Sequence, residues 1–119
     1  MSLVFVYGTL KRGGSNHAHL AGQEFVGVAK TKPSLALYLL DGYPGMVPVD
    51  EGGESIVGEV WSVDDACLAK LDDLEGLSEG LYRRGAIPLE GPLGERGVEA
   101  YYYERSVTGR PRVAPEWKV

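Results

Sequence analysis

Glu75 is the first candidate for chemistry, because the helix predicted before it would carry its carboxylate onto a buried face. The helix is predicted over residues 64–74, with Asp64 as its N-cap and Gly76 after its end. Its apolar residues recur at the i, i+3, i+4, i+7 spacing of a core-facing helix: Cys67, Leu68, Leu71 and Leu74. Glu75 follows Leu71 by four positions and continues that face, at the end where the helix dipole disfavours negative charge. Burial and dipole both raise the pKa of a carboxyl group, towards the range of a general acid/base at neutral pH.

A second interpretation of Glu75 needs no chemistry. The last helical turn can fray, so that the carboxylate reaches water or pairs with Arg83 or Arg84. Tyr82 and these arginines begin the next predicted strand, where they supply either hydrogen bonds to a pocket or only the two faces of a strand. At about 100° per residue, Asp72 and Asp73 point away from the centre of the apolar stripe.

The second candidate is the glycine turn after the first predicted strand. Residues 3–7 are uncharged aliphatic and aromatic residues without alternation, which predicts a strand buried on both faces. Gly8 then breaks the run, as a turn with unusual dihedrals or a close backbone approach requires. Backbone N–H groups in such a turn have no ladder partners and can cradle an anion or an oxyanion, although an ordinary strand–turn is the alternative. The spacing of Gly8, Gly13 and Gly14 matches neither a Rossmann fingerprint nor a P-loop.

Composition excludes several classes of function. A chain of 119 residues is expected to form one domain, residues 1–119, with a single core. The net charge of −5 argues against nucleic-acid or anionic-membrane partners. A lone Cys67 excludes an intrachain disulfide, and together with His17 and His19 it makes a poor zinc set, so no metal is predicted. Without a signal-peptide pattern or a long apolar segment, a cytoplasmic location is expected.

The elements that must position these candidates are predicted to be short. Seventeen glycines and seven prolines favour many turns, and about six strands are expected around the one main helix. We therefore predict an α+β fold, a small mixed β-barrel or strongly curled sheet with the helix packed against it. Residues 41–45 are predicted to be a loop, and the tail from Arg105 onwards is predicted to be irregular, with Trp117 packing back onto the body.

Three segments together resemble the γ-glutamyl cyclotransferase-like family. They are residues 4–13 (VFVYGTLKRG) followed by Asn16-His17, residues 71–75 (LDDLE) and residues 81–83 (LYR). The resemblance extends in element order over about residues 3–103, and the opening is most like the γ-glutamylamine cyclotransferase branch. The segment 43–52 and the tail after Glu104 match the family's pattern poorly; loops of this segment are expected to shape the leaving-group side of the site, so the choice of substrate stays open.

The resemblance implies a small mixed α/β barrel with its site at one mouth. It also implies that a γ-glutamyl substrate cyclises to 5-oxoproline and releases an amine, with Glu75 as general acid/base. The glutamyl portion would be held by Tyr7, Gly8, Thr9 and Leu10. Since the attacking amine is tethered to its target carbonyl, we expect neither a metal nor another cofactor nor a nucleophilic side chain.

Three alternatives remain at this point. The substrates can be γ-glutamyl amino acids or glutathione-like peptides, or the fold can serve as a binding module for a small molecule without turnover. A structural or interaction domain is the third, but it leaves the inward Glu75 and the glycine turn without explanation.

Overall fold

The computed structural model describes residues 1–119 and contains eight strands, one α-helix and three short 3-10 helices. The strands and the helix are β1 (Ser2–Val6), β2 (Glu24–Lys30), β3 (Leu35–Leu39), β4 (Pro44–Pro48), β5 (Val57–Val63), α1 (Asp65–Leu74), β6 (Tyr82–Ala86), β7 (Glu99–Tyr103) and β8 (Arg112–Val113). The 3-10 helices are His17–Leu20, Leu77–Glu79 and Pro92–Glu95. None of the helices is both long and apolar enough to cross a membrane.

The strands form a five-stranded sheet in the order β2-β5-β1-β7-β6 and a three-stranded sheet in the order β4-β3-β8. β1 lies in the middle of the larger sheet, antiparallel to β5 and parallel to β7. Successive residues of β1 enter different clusters of the core, with Val4 and Val6 in one and Phe5 in the other. The prediction of a strand buried on both faces is therefore confirmed.

α1 packs its buried residues Cys67 and Leu71 into the same cluster as Val4 and Val6. Its N-cap is Asp64, whose Oδ1 accepts a hydrogen bond from the Cys67 N–H at 2.7 Å. The helix thus ends beside the turn that follows β1, and this packing positions the two candidates of the sequence analysis.

The mixed α+β fold with one main helix is as predicted, but the sheet is not a closed barrel. β2 and β6 are the edges of the larger sheet, and the backbone contacts between them lie at the end of β2 and in the segment after β6. There Thr31 forms an isolated bridge with Leu89, and the Lys32 N–H donates to the Pro88 carbonyl at 2.8 Å. β3 pairs with β4 on one side and with β8 on the other, and these three strands form a separate sheet.

Two local predictions were wrong. Pro44 and Gly45, expected in a loop, belong to β4, which is an edge strand and so tolerates a residue without an N–H donor. A Cβ on Gly45 would lie 3.1 Å from the Tyr103 Cβ, so the glycine allows β4 to pack closely on β7. The tail is not wholly irregular either, because Val113 pairs with Leu37 and makes β8 a third strand of the smaller sheet.

Candidate active site

One cavity brings the end of α1 and the turn after β1 together. The cavity is partly open to solvent, and its empty volume, including that open space, is about 380 Å³. Eleven residues line it: Phe5, Val6, Tyr7, Gly8, Thr9, Leu10, Tyr43, Pro44, Glu75, Tyr82 and Tyr101. All five residues predicted to form a site are among them. Tyr43 and Pro44 also line it, and they come from the segment 43–52 that was expected to shape the leaving-group side.

The turn after β1 offers free hydrogen-bond donors. Its shape is fixed by the Lys11 N–H, which donates to the Gly8 carbonyl at 3.1 Å, and by Asn16, which donates from its backbone N–H and its Nδ2 to the carbonyl and Oγ1 of Thr9, both at 2.9 Å. The N–H groups of Gly8, Thr9 and Leu10 donate no hydrogen bond within the protein. Three consecutive donors on a rigid turn suit a carboxylate or a developing oxyanion.

Gly8 is required because the turn lies close to Pro44, and not because the backbone adopts an unusual conformation there. Its φ is not among the positive values of the chain, so that part of the expectation was wrong. A Cβ at this position would lie 2.8 Å from the Pro44 Cγ and 3.1 Å from the Cδ. The glycine therefore lets the turn approach β4 and narrows the cavity at that wall.

Glu75 caps the C-terminal end of α1, with its N–H donating to the Leu71 carbonyl at 2.9 Å. Its carboxylate makes no hydrogen bond or ion pair within the protein, and burial raises its pKa to about 7. The expected alternative of a pair with Arg83 or Arg84 is not found. Arg83 pairs with Glu104 at 3.3 Å, and Arg84 with Asp72 and Glu99. Glu75 is thus a carboxylate with no cation, poised between its two protonation states near neutral pH.

The tyrosines around Glu75 line the cavity, and hydrogen bonds hold the hydroxyl groups of Tyr7 and Tyr82 in place. The Tyr7 hydroxyl donates to the Tyr101 carbonyl at 2.6 Å and accepts from the Met46 N–H at 3.2 Å. The Tyr82 hydroxyl donates to the Pro44 carbonyl at 3.0 Å. Burial raises the pKa of both Tyr7 and Tyr82 well above the ordinary value, and the nearby Glu75 adds to the effect. Both phenols therefore stay neutral, and Glu75 is the ionisable group of the cavity that changes charge near pH 7.

Asp72 has a role in this region that the sequence did not indicate. It was expected to point away from the apolar stripe, yet its Oδ1 accepts from the Tyr101 hydroxyl at 2.8 Å and its Oδ2 from Arg84. Helical periodicity finds apolar faces, whereas these partners lie on β6 and β7. One signal was available in the sequence: Asp72 is an acidic residue in the last turn of a helix, where the dipole disfavours an anion and a neighbouring cation is therefore expected.

An outer cleft adjoins the cavity and shares Thr9, Tyr43, Glu75 and Tyr82 with it. Its other walls are Ser15, Asn16, Gly42, Leu74 and Leu81. Leu74, expected on the buried stripe, is 39% exposed because α1 ends at this residue and its side chain borders the cleft. No lysine, arginine or histidine lines the cleft.

Comparison with known proteins assigns this arrangement to a family. The family model described as gamma-glutamyl cyclotransferase, AIG2-like, matches residues 4–119. The chain belongs to this family. A putative gamma-glutamylcyclotransferase of Vibrio cholerae is 48% identical over 99 residues, which cover 83% of this chain and 81% of that protein. Gamma-glutamylaminecyclotransferase A of Danio rerio is 35% identical over 122 residues, covering 96% and 72%.

Solved structures agree with the fold. The crystal structure of an AIG2-like protein from Mus musculus has a TM-score of 0.76 at 28% identity and covers 95% of this chain and 86% of that one. Membership of the γ-glutamyl cyclotransferase family makes the chain a cyclotransferase-type enzyme. The relatives' names include both γ-glutamyl and γ-glutamylamine cyclotransferases, so the leaving group is decided by the site and not by the family name.

Proposed function

We propose that the protein is a γ-glutamylamine cyclotransferase, which converts a γ-glutamylamine into 5-oxoproline and a free amine. The observation that carries the proposal is the unpaired, half-buried Glu75 carboxylate in one cavity with the three free N–H groups of the turn. One group can move a proton and the other can hold negative charge, and intramolecular aminolysis needs both.

In the proposed mechanism the turn from Tyr7 to Leu10 holds the glutamyl portion of the substrate. The free N–H groups of Gly8, Thr9 and Leu10 bind the α-carboxylate or the oxyanion that develops on the γ-carbonyl oxygen. Neutral tyrosines on the surrounding walls reduce the contact of Glu75 with water and add no charge. The substrate is thereby held with its amine against its own carbonyl, and this proximity supplies much of the rate.

Glu75 moves one proton in each turnover. Its carboxylate takes the proton from the substrate's α-nitrogen, which forms a bond to the γ-carbonyl carbon. The carboxylic acid then returns the proton to the departing nitrogen as the γ-amide C–N bond breaks. Atoms balance without water or a redox partner, and in this proposal neither metal nor cofactor takes part. A pKa of about 7 suits both halves of the transfer.

The outer cleft supports an amine as leaving group over an amino acid. It joins the cavity at Glu75, where the departing nitrogen has to lie. A leaving amino acid brings its own carboxylate into this cleft, and no cation among the walls can pair with it. The apolar Leu74 and Leu81 suit an alkyl chain instead. We also propose a cytoplasmic location, on the sequence pattern alone.

A matched pair of substrates tests the proposal. γ-Glutamylethylamide and γ-glutamylalanine differ in the leaving group by a single carboxylate, and 5-oxoproline release is measured for each by chromatography. We expect kcat/KM to be at least about tenfold higher for the ethylamide, which corresponds to about 1.4 kcal/mol. Preference for γ-glutamylalanine would point to the cyclotransferases of γ-glutamyl amino acids. Binding of both without 5-oxoproline release would identify a binding module.

A further inference from the structure

The last turn of α1 concentrates negative charge. Asp72, Asp73 and Glu75 lie there with no basic residue in the turn, at the end where the helix dipole already disfavours anions. Left to itself this turn would tend to fray and carry Glu75 into solvent. Contacts of Asp72 with two strands oppose this fraying.

Asp72 connects this turn to two strands. Its Oδ1 accepts a hydrogen bond from the Tyr101 hydroxyl of β7 at 2.8 Å, and its Oδ2 accepts from the Arg84 guanidinium of β6. Arg84 is held from its other side by Glu99, whose Oε1 lies 3.2 Å from Nε. The side chains of Arg84 and Asp72 are only 25% and 27% exposed, so the pair is shielded more than a surface ion pair.

The same contacts reach the cavity. Asp72 precedes Glu75 by three residues, a spacing at which side chains are neighbours on a helix. Tyr101 lines the cavity, and its carbonyl accepts the hydrogen bond of Tyr7, the residue that begins the turn. Two separate hydrogen bonds of Tyr101, one at its hydroxyl and one at its carbonyl, therefore link Asp72 in the last turn of α1 and Tyr7 beside Gly8 to the same residue of β7.

We propose that Asp72 is a positioning residue, which with Arg84 and Tyr101 holds the last turn of α1 so that Glu75 stays inside the cavity. The inference rests on the proposed function, since it assigns Asp72 a part in the same proton transfer. It differs from a role in stability alone because its effect acts through the placement of one carboxylate.

Asp73 provides the matched control. It is the neighbouring aspartate, is exposed, and its side chain makes no hydrogen bond or ion pair within the protein, although its backbone carbonyl accepts the Gly76 N–H. The variants Asp72→Ala, Asp72→Asn and Asp73→Ala are compared for kcat and KM on the best substrate of the parent. Rates are normalised to folded protein, measured by circular dichroism, and the affinity for 5-oxoproline is measured by calorimetry.

For Asp72→Ala we expect kcat to fall by at least about tenfold, the scale of a misplaced catalytic group. KM and the affinity for 5-oxoproline should stay within about threefold, because the turn that binds the glutamyl portion is intact. Asp72→Asn keeps an oxygen for the Tyr101 hydroxyl and should recover most of the lost kcat. Asp73→Ala should match the parent within about twofold.

If Asp72→Ala does not fold, Tyr101→Phe replaces it, since this change removes only the hydroxyl that binds Asp72. We expect it to lower kcat by several-fold with KM unchanged. A kcat for folded Asp72→Ala or Tyr101→Phe equal to that of Asp73→Ala would overturn the inference, as would a loss confined to KM. A parent without turnover of any γ-glutamyl substrate would instead contradict the proposed function.

Discussion

Replacing Glu75 by glutamine should stabilise the protein, and the gain should depend on pH. In the folded protein the pKa of Glu75 is raised by burial from 4.5 to about 7. Below pH 4.5, the pKa in the unfolded chain, Glu75 is protonated in both the folded and the unfolded state and does not lower the free energy of unfolding. As pH rises towards 7 the unfolded chain releases its proton first, so the parent loses stability. Each pKa unit is worth about 1.36 kcal/mol, so the loss at pH 8 is about 3 kcal/mol.

Glutamine is nearly isosteric and does not titrate, so Glu75→Gln avoids this loss. Denaturant unfolding of the parent and the variant at intervals from pH 4 to pH 8 measures the difference in unfolding free energy. We expect the variant's advantage over the parent to grow by about 3 kcal/mol across this range, with most of the change between pH 4.5 and 7. Glu51→Gln, at an exposed loop position, is the control and should show little change.

A difference between Glu75→Gln and the parent that is constant from pH 4 to pH 8 would refute the reasoning. It would mean that the carboxylate is hydrated in the folded protein and that its pKa is not raised. Glu75 would then lack the property that suits a general acid/base at neutral pH. A variant that loses stability as pH rises would contradict the sign of the argument.

Four further predictions concern the same cavity and its surroundings. The kcat/KM of the parent should rise with pH through about 7, because Glu75 must be ionised to accept a proton; a profile flat from pH 5 to 8 would contradict this. Gly8→Ala and Gly8→Val should weaken the affinity for 5-oxoproline, the valine more, because a Cβ at this position would lie 2.8 Å from the Pro44 Cγ. Calorimetry measures the affinity and melting temperatures measure the stability; an unchanged affinity would mean that the turn does not bind the ligand. Cys67→Ala should cost about 1 kcal/mol of stability, measured by denaturant unfolding, and leave 5-oxoproline release unchanged. Loss of turnover in the folded variant would contradict a mechanism without a nucleophilic side chain. Leu74→Arg puts a cation in the outer cleft and should shift the ratio of kcat/KM towards γ-glutamylalanine; an unchanged ratio would place the leaving group elsewhere.

Glu75 and the glycine turn could each be singled out because both signals are local, whereas their meeting in one site was implied by the family resemblance. The spacing of Leu71 and Glu75 fixes the helix face, and the apolar run ending at Gly8 fixes the strand end. The roles of these residues remain predictions, which the experiments above test.

The rest depends on contacts between distant parts of the chain. Pro44 and Gly45 carry a strong turn signal, yet pairing with β3 and packing on Tyr103 make them a strand. Asp72 binds partners 12 and 29 residues away, which no periodicity detects. The second sheet was missed for a related reason, since β8 lies in a tail without a strand pattern and pairs with β3.

The most direct test of the central claim is the turnover of Glu75→Gln beside its affinity for 5-oxoproline. The account predicts that kcat falls by at least about a hundredfold, the scale of a lost general acid/base. It also predicts that the variant stays folded and binds 5-oxoproline about as the parent does, since the free N–H groups of the turn are unchanged. A kcat within a few-fold of the parent would contradict the account and show that another group moves the proton.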